Sequence, residues 1–181
     1  PLQYIEEYVP FYSIQINVDQ RCLIPRPETE YMIEIIKNNI SAPKKILDVG
    51  TGSGCIALMM KKLFPDSEVH AVDISNDAIT LAKENAEINN LEVNFYQSDL
   101  LTNVEKLDFD LIVANLPYVP TSNLPTLQKE VIDYEPLIAL DGGEDGLLYI
   151  NKLLDNLKNT DSNDLLLVLE VDTSHAQSLR D

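Results

Sequence analysis

A closely spaced set of glycines directly after an apolar segment constrains this chain more than any other sequence feature. The residues Ile46-Leu47-Asp48-Val49-Gly50-Thr51-Gly52-Ser53-Gly54 lead from a predicted buried strand into a helical pattern that begins near Ile56. Because glycine lacks a Cβ, three glycines in five positions let the backbone turn sharply and approach a ligand closely. The segment therefore predicts a strand, a ligand-binding turn and a helix, which is the opening unit of a parallel α/β sheet.

The residues after this turn alternate between short apolar segments and helical spacing, which is typical of repeated βαβ units. Because such units place their strands in parallel, we predict an α/β fold with a mostly parallel sheet and helices on both faces. The last segment is apolar enough that we expect it to be a central strand. The predicted strands are 46–49, 69–74, 93–97, 109–114 and 165–171, and the predicted helices are 56–64, 78–88 and about 146–157.

A hairpin and a helix are predicted before the sheet. Apolar residues alternate with polar ones over residues 14–18, and a second short apolar segment, residues 22–24, follows the polar Asp19-Gln20 pair. We expect these two segments to pair as the strands of a short hairpin. Apolar residues then recur at helical intervals over residues 29–40, for which Thr29 is the predicted N-cap.

The glycine turn has the form of a cofactor-binding loop. Cys55 replaces the last glycine of the dinucleotide pattern GxGxxG, and GxGxG after an acidic strand end is instead typical of methyltransferases that use S-adenosylmethionine. Asp73 ends the next strand. Its distance in sequence from the glycine turn is typical of the acidic residue that binds the ribose hydroxyls of a cofactor in such sheets. Asp99 ends the third strand, where we expect it to bind the adenine amino group while Leu100 packs against the ring. The cofactor contacts expected from the turn itself are Asp48, Gly50, Thr51, Gly52, Ser53 and Gly54.

The segment Asn115-Leu116-Pro117-Tyr118 follows the fourth predicted strand, at the sheet edge where open α/β folds bind ligands. An amide nitrogen is a poor nucleophile because its lone pair is delocalised, and surrounding hydrogen-bond acceptors favour lone-pair character. The Asn115 side-chain oxygen and the Leu116 carbonyl can accept the two amide hydrogens, while Tyr118 offers a flat face to the amide plane. The segment therefore predicts methyl transfer to a planar nitrogen.

Several segments together resemble the peptide chain release factor glutamine methyltransferases, the HemK/PrmC family. They are residues 23–30 (LIPRPETE), 48–54, 115–118 and 127–147. The resemblance implies a Rossmann-like fold and transfer of a methyl group from S-adenosylmethionine to the side-chain amide nitrogen of the glutamine in the Gly-Gly-Gln loop of a release factor. It also implies that Asn115 contacts the cofactor as well as the substrate. The residues implied to line the substrate entrance are Arg26, Pro27, Glu28 and Thr29.

The chain departs from the family pattern in two respects. The family usually has Asn-Pro-Pro-Tyr, and Leu116 in place of the first proline removes a restriction on Asn115 but keeps the backbone carbonyl. The family also has an N-terminal helical domain and two further C-terminal strands, which we expect to be missing here. We therefore assign residues 1–27 to a hairpin and linker from that helical domain, and residues 28–181 to a truncated methyltransferase domain.

Two other functions fit part of the pattern. Asn-Leu-Pro-Tyr is also the acceptor motif of ribosomal RNA adenine dimethyltransferases, so an adenine N6 methyltransferase acting on RNA or DNA is one alternative. The other is a module that binds S-adenosylmethionine without catalysis. The formal charge of -17, from 30 acidic and 13 basic residues, disfavours nucleic acid because such a surface repels a phosphate backbone.

Cysteine usage and hydropathy bear on the compartment. Cys22 and Cys55 are far apart and have no histidine at ligand spacing, so neither a disulfide nor a metal site is expected. No apolar segment approaches the ~20 residues that a membrane-spanning helix needs. We expect a cytoplasmic monomer whose partner is a release factor, without a metal, a membrane or nucleic acid.

Overall fold

The protein is built around a five-stranded parallel sheet that is preceded by a small hairpin. The computed structural model describes residues 1–105, 108–158, 165–176 and 178–179. The predicted methyltransferase domain, residues 28–181, therefore lies only partly within the described residues. The strands of the described part are β1 (Tyr8–Phe11), β2 (Ile14–Asn17), β3 (Lys45–Val49), β4 (Glu68–Asp73), β5 (Asn94–Gln97), β6 (Leu111–Ala114) and β7 (Leu166–Leu169). Its α-helices are α1 (Leu2–Glu6), α2 (Pro27–Asn39), α3 (Cys55–Leu63), α4 (Asn76–Asn89), α5 (Lys129–Ile132) and α6 (Leu148–Leu157).

The strand order is β5-β4-β3-β6-β7. Successive strands are added on one side of β3 as far as β5, and the chain then returns to the other side of β3 for β6 and β7. Every neighbouring pair in this sheet is parallel, which confirms the predicted parallel sheet. Open α/β sheets bind ligands at such a reversal, outside the carboxyl ends of the strands. The 165–171 strand was predicted to be central, whereas among the five described strands β7 lies at one end and pairs with β6. Its apolar composition reflects contact with the cores on both faces of the sheet.

Two hydrophobic cores cover the two faces of the sheet, as the sequence predicts. Neighbouring residues of a strand point to opposite faces, so Ile46 packs with α2, α3 and the hairpin, whereas Leu47 packs with α6. The second core includes Ile150 and Leu153 of α6, both fully buried. Among the described helices, none combines the length and the apolar character that crossing a membrane requires.

The hairpin is present, but its predicted pairing is wrong. β1 pairs with β2 in antiparallel register, with Phe11 opposite Ile14, so the turn lies at Tyr12-Ser13. Tyr12 adopts a positive φ of 52°, which closes this tight turn. The first strand of the hairpin also alternates, because Val9 and Phe11 of β1 are buried and their neighbours are exposed.

The predicted N-cap of the helix before the sheet is also wrong. α2 begins at Pro27, with Arg26 in the N-cap position and no side-chain cap. Proline suits the first helical position because its φ is already helical and its missing N–H has no intrahelical partner there. Thr29 consequently lies within the first turn, where its side chain is buried and contacts Asn115, the residue that directly follows β6.

Candidate active site

The carboxyl ends of β3, β4 and β6 meet around a pocket beside the glycine turn. The lining includes residues from each of these strand ends, namely Gly50, Thr51, Gly52, Ser53, Asp73, Asn115 and Pro117. The segment before α2 and the short helical turn Leu137–Ala139 also contribute to it. Parts of the chain that are far apart in sequence therefore form one site at the predicted edge of the sheet.

Two glycines of the turn are required by the backbone and by packing. Gly50 and Gly54 have φ values of +74° and +82°, a region in which residues with a Cβ are strained. The N–H groups of Gly50 and Thr51 both donate to the Val72 carbonyl at 2.9 Å, which ties the turn to β4. A Cβ on Gly54 would lie 3.0 Å from the Cβ of Ala82, so this glycine allows the turn to pack closely on α4.

Gly52 has a different role from the other two glycines. A Cβ at this position would have no neighbour closer than the Cβ of Cys22, at 3.8 Å, and the residue lines the pocket. The missing side chain therefore leaves open the space that a ligand would use.

Asp73 links the glycine turn to the start of α4. Its Oδ2 accepts a hydrogen bond from the Gly52 N–H at 2.8 Å, and its Oδ1 accepts one from the Ser75 N–H at 2.9 Å. Burial raises the pKa of this carboxyl, and the hydrogen bonds from the surrounding backbone N–H groups oppose that rise. Because the side chain also lines the pocket, its remaining lone pairs are available to a ligand.

Asp48 supports the turn from inside the protein. It is fully buried, and its Oδ2 accepts hydrogen bonds from the Thr51 hydroxyl at 2.6 Å and the Ala57 N–H at 3.1 Å. Its Oδ1 has no hydrogen-bond partner among the described residues. Burial raises the pKa of this carboxyl to about 7. Its predicted contact with the cofactor stays a prediction, because the geometry shows only its contacts with the turn and α3.

Asn115 is anchored by a hydrogen bond to Thr29. Its side-chain nitrogen donates a hydrogen bond to the Thr29 hydroxyl at 3.2 Å, across 86 residues of sequence. The side-chain oxygen of Asn115 accepts no hydrogen bond from the described residues, so it is available to an incoming N–H donor. This is the orientation that the acceptor hypothesis requires.

The three residues after Asn115 are placed differently from one another. Leu116 is buried, and its Cδ2 would lie 2.9 Å from a Cβ on Gly50, so its side chain covers the glycine turn. Pro117 lines the pocket beside that turn. Tyr118 is partly buried, and this burial raises the pKa of its hydroxyl.

A second, larger groove lies next to the pocket, and Asn115 lines both of them. Leu116 and Tyr118 contribute to the groove from the same segment, and Pro27 and Glu28 contribute from the start of α2. Two ligands bound in the two spaces would therefore meet at Asn115.

The predicted entrance residues do not share one role. Arg26, Pro27 and Glu28 line the groove, as expected for an entrance. Arg26 also forms an ion pair of 2.6 Å with Glu135, whose side chain is only 1% exposed. Thr29 instead lines the pocket beside the glycine turn, where it accepts a hydrogen bond from Asn115.

Asp99 and Leu100 are not brought to the pocket. Asp99 is exposed beyond the carboxyl end of β5, and Leu100 packs against the second core with a positive φ of 48°. β5 lies one strand further from β3 than β4 does. The predicted role of both residues at the adenine ring stays a prediction.

Two glutamates of this region were not predicted as site residues. Glu135 is buried and, besides its ion pair, its Oε2 accepts a hydrogen bond from the Ile24 N–H at 3.1 Å. Glu170 directly follows β7, and its N–H donates to the Ala114 carbonyl at 3.0 Å. The available signal for Glu170 was an acidic residue at a strand end, which is the signal that identified Asp73.

None of the histidine, cysteine, aspartate and glutamate groups in the described part of the chain is arranged to hold an ion. Cys22 and Cys55 are both buried as free thiols.

Residues 27–137 match the family model described as methyltransferase small domain. The chain is 40% identical over 185 residues to the release factor glutamine methyltransferase of Thermodesulfovibrio yellowstonii, which covers 99% of this chain and 66% of that protein. It is also 40% identical over 181 residues to the protein of the same name from Lactococcus lactis subsp. lactis, with 99% and 67% covered. The chain therefore spans about two thirds of the length of these curated relatives.

A solved structure supports the fold. The ribosomal protein L11 methylase from Lactobacillus delbrueckii subsp. bulgaricus superposes with a TM-score of 0.64 at 24% sequence identity. The superposition covers 98% of this chain and 78% of that one, so the sheet and its helices are arranged alike in both.

Proposed function

The chain belongs to the methyltransferase small domain family and to the release factor glutamine methyltransferases, and from this membership we propose that it methylates the side-chain amide nitrogen (N5) of a glutamine in a release factor. The observation that carries the proposal is the position of Asn115 between two spaces. The pocket beside the glycine turn suits the methyl donor, and the adjacent groove suits the protein substrate.

The pocket residues fit S-adenosylmethionine, the cofactor of this family. Gly52 leaves open the space that a Cβ would fill, and Asp73 offers carboxylate lone pairs next to it. We propose that Asp73 accepts hydrogen bonds from the ribose hydroxyls, while Asp99 and Leu100 bind the adenine. When bound, the cofactor supplies a methyl group on a positively charged sulfur. The turn residues proposed to hold it are Asp48, Gly50, Thr51, Gly52, Ser53 and Gly54.

The acceptor segment positions the glutamine amide and favours its lone pair. The Asn115 Oδ1 and the Leu116 carbonyl oxygen would accept the two amide hydrogens, so the nitrogen is held with its lone-pair face free. Tyr118 would pack against the amide plane. Positioning and fixed acceptors of this kind account for most of the acceleration in such transfers, and the nitrogen loses its proton after attack.

The groove suits a protein segment as the second substrate. Arg26 and Glu28 place charges at its rim, and Pro27 and Leu116 provide apolar contacts. We propose a release factor as the partner and the cytoplasm, where translation terminates, as the location. The excess of acidic residues makes nucleic acid a poor partner, and we expect the protein to act as a monomer.

The test is mass spectrometry of a release factor after incubation with the full-length protein and S-adenosylmethionine. We expect one added methyl group, located on the glutamine of the Gly-Gly-Gln loop. A parallel reaction with structured RNA and with DNA tests the adenine alternative, and titration calorimetry measures cofactor binding. Methyl transfer to adenine, or cofactor binding without transfer to any of these substrates, would refute the proposal.

A further inference from the structure

We propose that Glu170 is a positioning residue of the acceptor site, whose carboxylate fixes the side-chain amide of Asn115 with its oxygen toward the substrate. This inference rests on the proposed function. It adds a residue that neither the glycine turn nor the acceptor segment contains.

The sheet register brings Glu170 next to Asn115. Ala114 and Leu169 are partners in the parallel pairing of β6 and β7. The next residue of each segment, Asn115 and Glu170, therefore lies at the same position along the sheet. The hydrogen bond from the Glu170 N–H to the Ala114 carbonyl continues this ladder to the last residue before Asn115. The two side chains are therefore neighbours through the backbone of the sheet.

The carboxyl group of Glu170 is shielded from solvent without a committed partner. Both oxygens are buried, and neither makes a hydrogen bond of standard geometry to a described residue. The polar groups that interact with it are the Thr29 hydroxyl, the Asn115 side-chain amide and the Tyr118 hydroxyl. Buried acceptors without partners are rare in folded proteins and often mark a functional site.

The position of Glu170 favours an indirect role. It lines neither the pocket nor the groove, whereas Asn115 lines both. A ligand in either space would therefore contact Asn115 and not Glu170. A group at this position acts on the substrate through Asn115.

The donor and acceptor inventory of the three side chains explains how Glu170 would act. The Asn115 amide nitrogen has two N–H donors, of which one is directed to Thr29. An ionised carboxylate only accepts hydrogen bonds, so it favours the second N–H on its side and repels the amide oxygen. Turning the amide over would place its oxygen against the carboxylate and its N–H groups toward the substrate amide, which also donates. Ionised Glu170 thus selects the productive orientation of Asn115.

This role makes the site sensitive to protonation of Glu170. Burial and the negative charge of Glu28 raise the pKa of its carboxyl, and interactions with Thr29, Asn115 and Tyr118 oppose the rise. Cys55 of α3 also interacts with this charge. As the pH falls through the raised pKa, the carboxyl gains an O–H donor and no longer discriminates between the two amide orientations. We expect kcat to fall on this acidic side.

The first experiment compares methylation of a release factor by the full-length wild-type protein and by Glu170→Gln, with Glu87→Gln on the exposed face of α4 as the matched control. Glutamine keeps the shape of the side chain but can donate as well as accept, so both orientations of Asn115 become possible. We expect kcat to fall about tenfold, KM for the release factor to change little, and the acidic limb of the pH profile to disappear. Wild-type kcat and an unchanged pH profile in Glu170→Gln would overturn the proposal.

The second experiment does not depend on turnover. In a nitrogen–proton NMR spectrum of the wild-type protein, the side-chain NH₂ signals of Asn115 are identified by their loss in Asn115→Ala. We expect these signals to shift with an apparent pKa above that of a free glutamate, and to stop titrating in Glu170→Gln. Signals that do not titrate in the wild type would overturn the role of Glu170. If they titrate but no release factor is methylated, the proposed function fails and the coupling stands.

Discussion

Arg26 and Glu135 form a direct ion pair, with 2.6 Å between the guanidinium nitrogen and the carboxylate oxygen, although 109 residues separate them in the sequence. Glu135 also accepts a hydrogen bond from the Ile24 N–H, so it holds two residues of the segment that precedes α2. The same segment lines the pocket and the groove through Arg26. The ion pair therefore connects two distant parts of the family pattern into one wall of the site.

Replacing Arg26 by alanine is expected to lower the free energy of unfolding by about 2 kcal/mol, because Glu135 then stays buried without its cation. The Arg26 side chain is 31% exposed, so solvent screens part of the interaction. The double variant Arg26→Ala/Glu135→Gln should regain most of this loss, since glutamine is neutral and can still accept the Ile24 N–H. Urea unfolding of the wild type, Arg26→Ala, Glu135→Gln and the double variant gives the coupling free energy between the two side chains. Additive losses in the double variant would show that the pair is not coupled.

Asn115→Ala is expected to lower methylation of the release factor by about a hundredfold or more, because it removes the acceptor that holds the amide. The fold should be retained, since the Asn115 side chain makes one hydrogen bond of standard geometry, to Thr29, besides its interaction with Glu170. Single-turnover assays measure the rate, and circular dichroism checks the fold. Asn151→Ala on the exposed surface of α6 is the control. Turnover near that of the wild type in Asn115→Ala would contradict the assigned role.

The glycine turn allows a paired test of structure against ligand binding. Gly54→Ala should lower stability by about 2–3 kcal/mol, because a positive φ is combined with a 3.0 Å contact to Ala82. Gly52→Ala should lower stability by only about 1 kcal/mol, the cost of its left-handed backbone, because its Cβ meets open space. The Gly52 variant should nevertheless bind S-adenosylmethionine at least about tenfold more weakly. Thermal unfolding and calorimetry separate the two effects, and equal cofactor affinity in Gly52→Ala and the wild type would argue against a ligand over this residue.

Asp48 should make the stability of the ligand-free protein depend on pH. Burial raises the pKa of its carboxyl to about 7, whereas an aspartate in an unfolded chain has a pKa of about 4. Between these values the unfolded chain releases a proton that the folded protein keeps, so this contribution to stability is lost as the pH rises, by roughly 1 kcal/mol per pH unit. Asp48→Asn cannot titrate and should show a flatter curve in urea unfolding between pH 4 and pH 7. Parallel curves would mean that Asp48 keeps an ordinary pKa.

The class of fold and the residues at the strand ends could be predicted from local patterns in the amino-acid sequence. The strands of the sheet and the helices α3, α4 and α6 lie within about two residues of their predicted ranges, because alternation and helical spacing are local properties of a chain that buries one face. The glycine turn was also predictable from local sequence, because glycine is the residue that best tolerates the positive φ values of this turn. Because parallel strands end at a common edge, Asp73 and Asn115 could be expected in one site.

The tertiary structure alone decided which distant side chains hold the site residues in place. The hydrogen bond between Thr29 and Asn115 and the approach of Glu170 to Asn115 depend on how α2 packs on the sheet and on the register of β6 and β7. The pairing of the hairpin, the pairing of β7 with β6 and the Arg26–Glu135 ion pair likewise follow from how separate segments pack together. Local patterns report which face of an element is buried, but they do not report the partner against which it is buried.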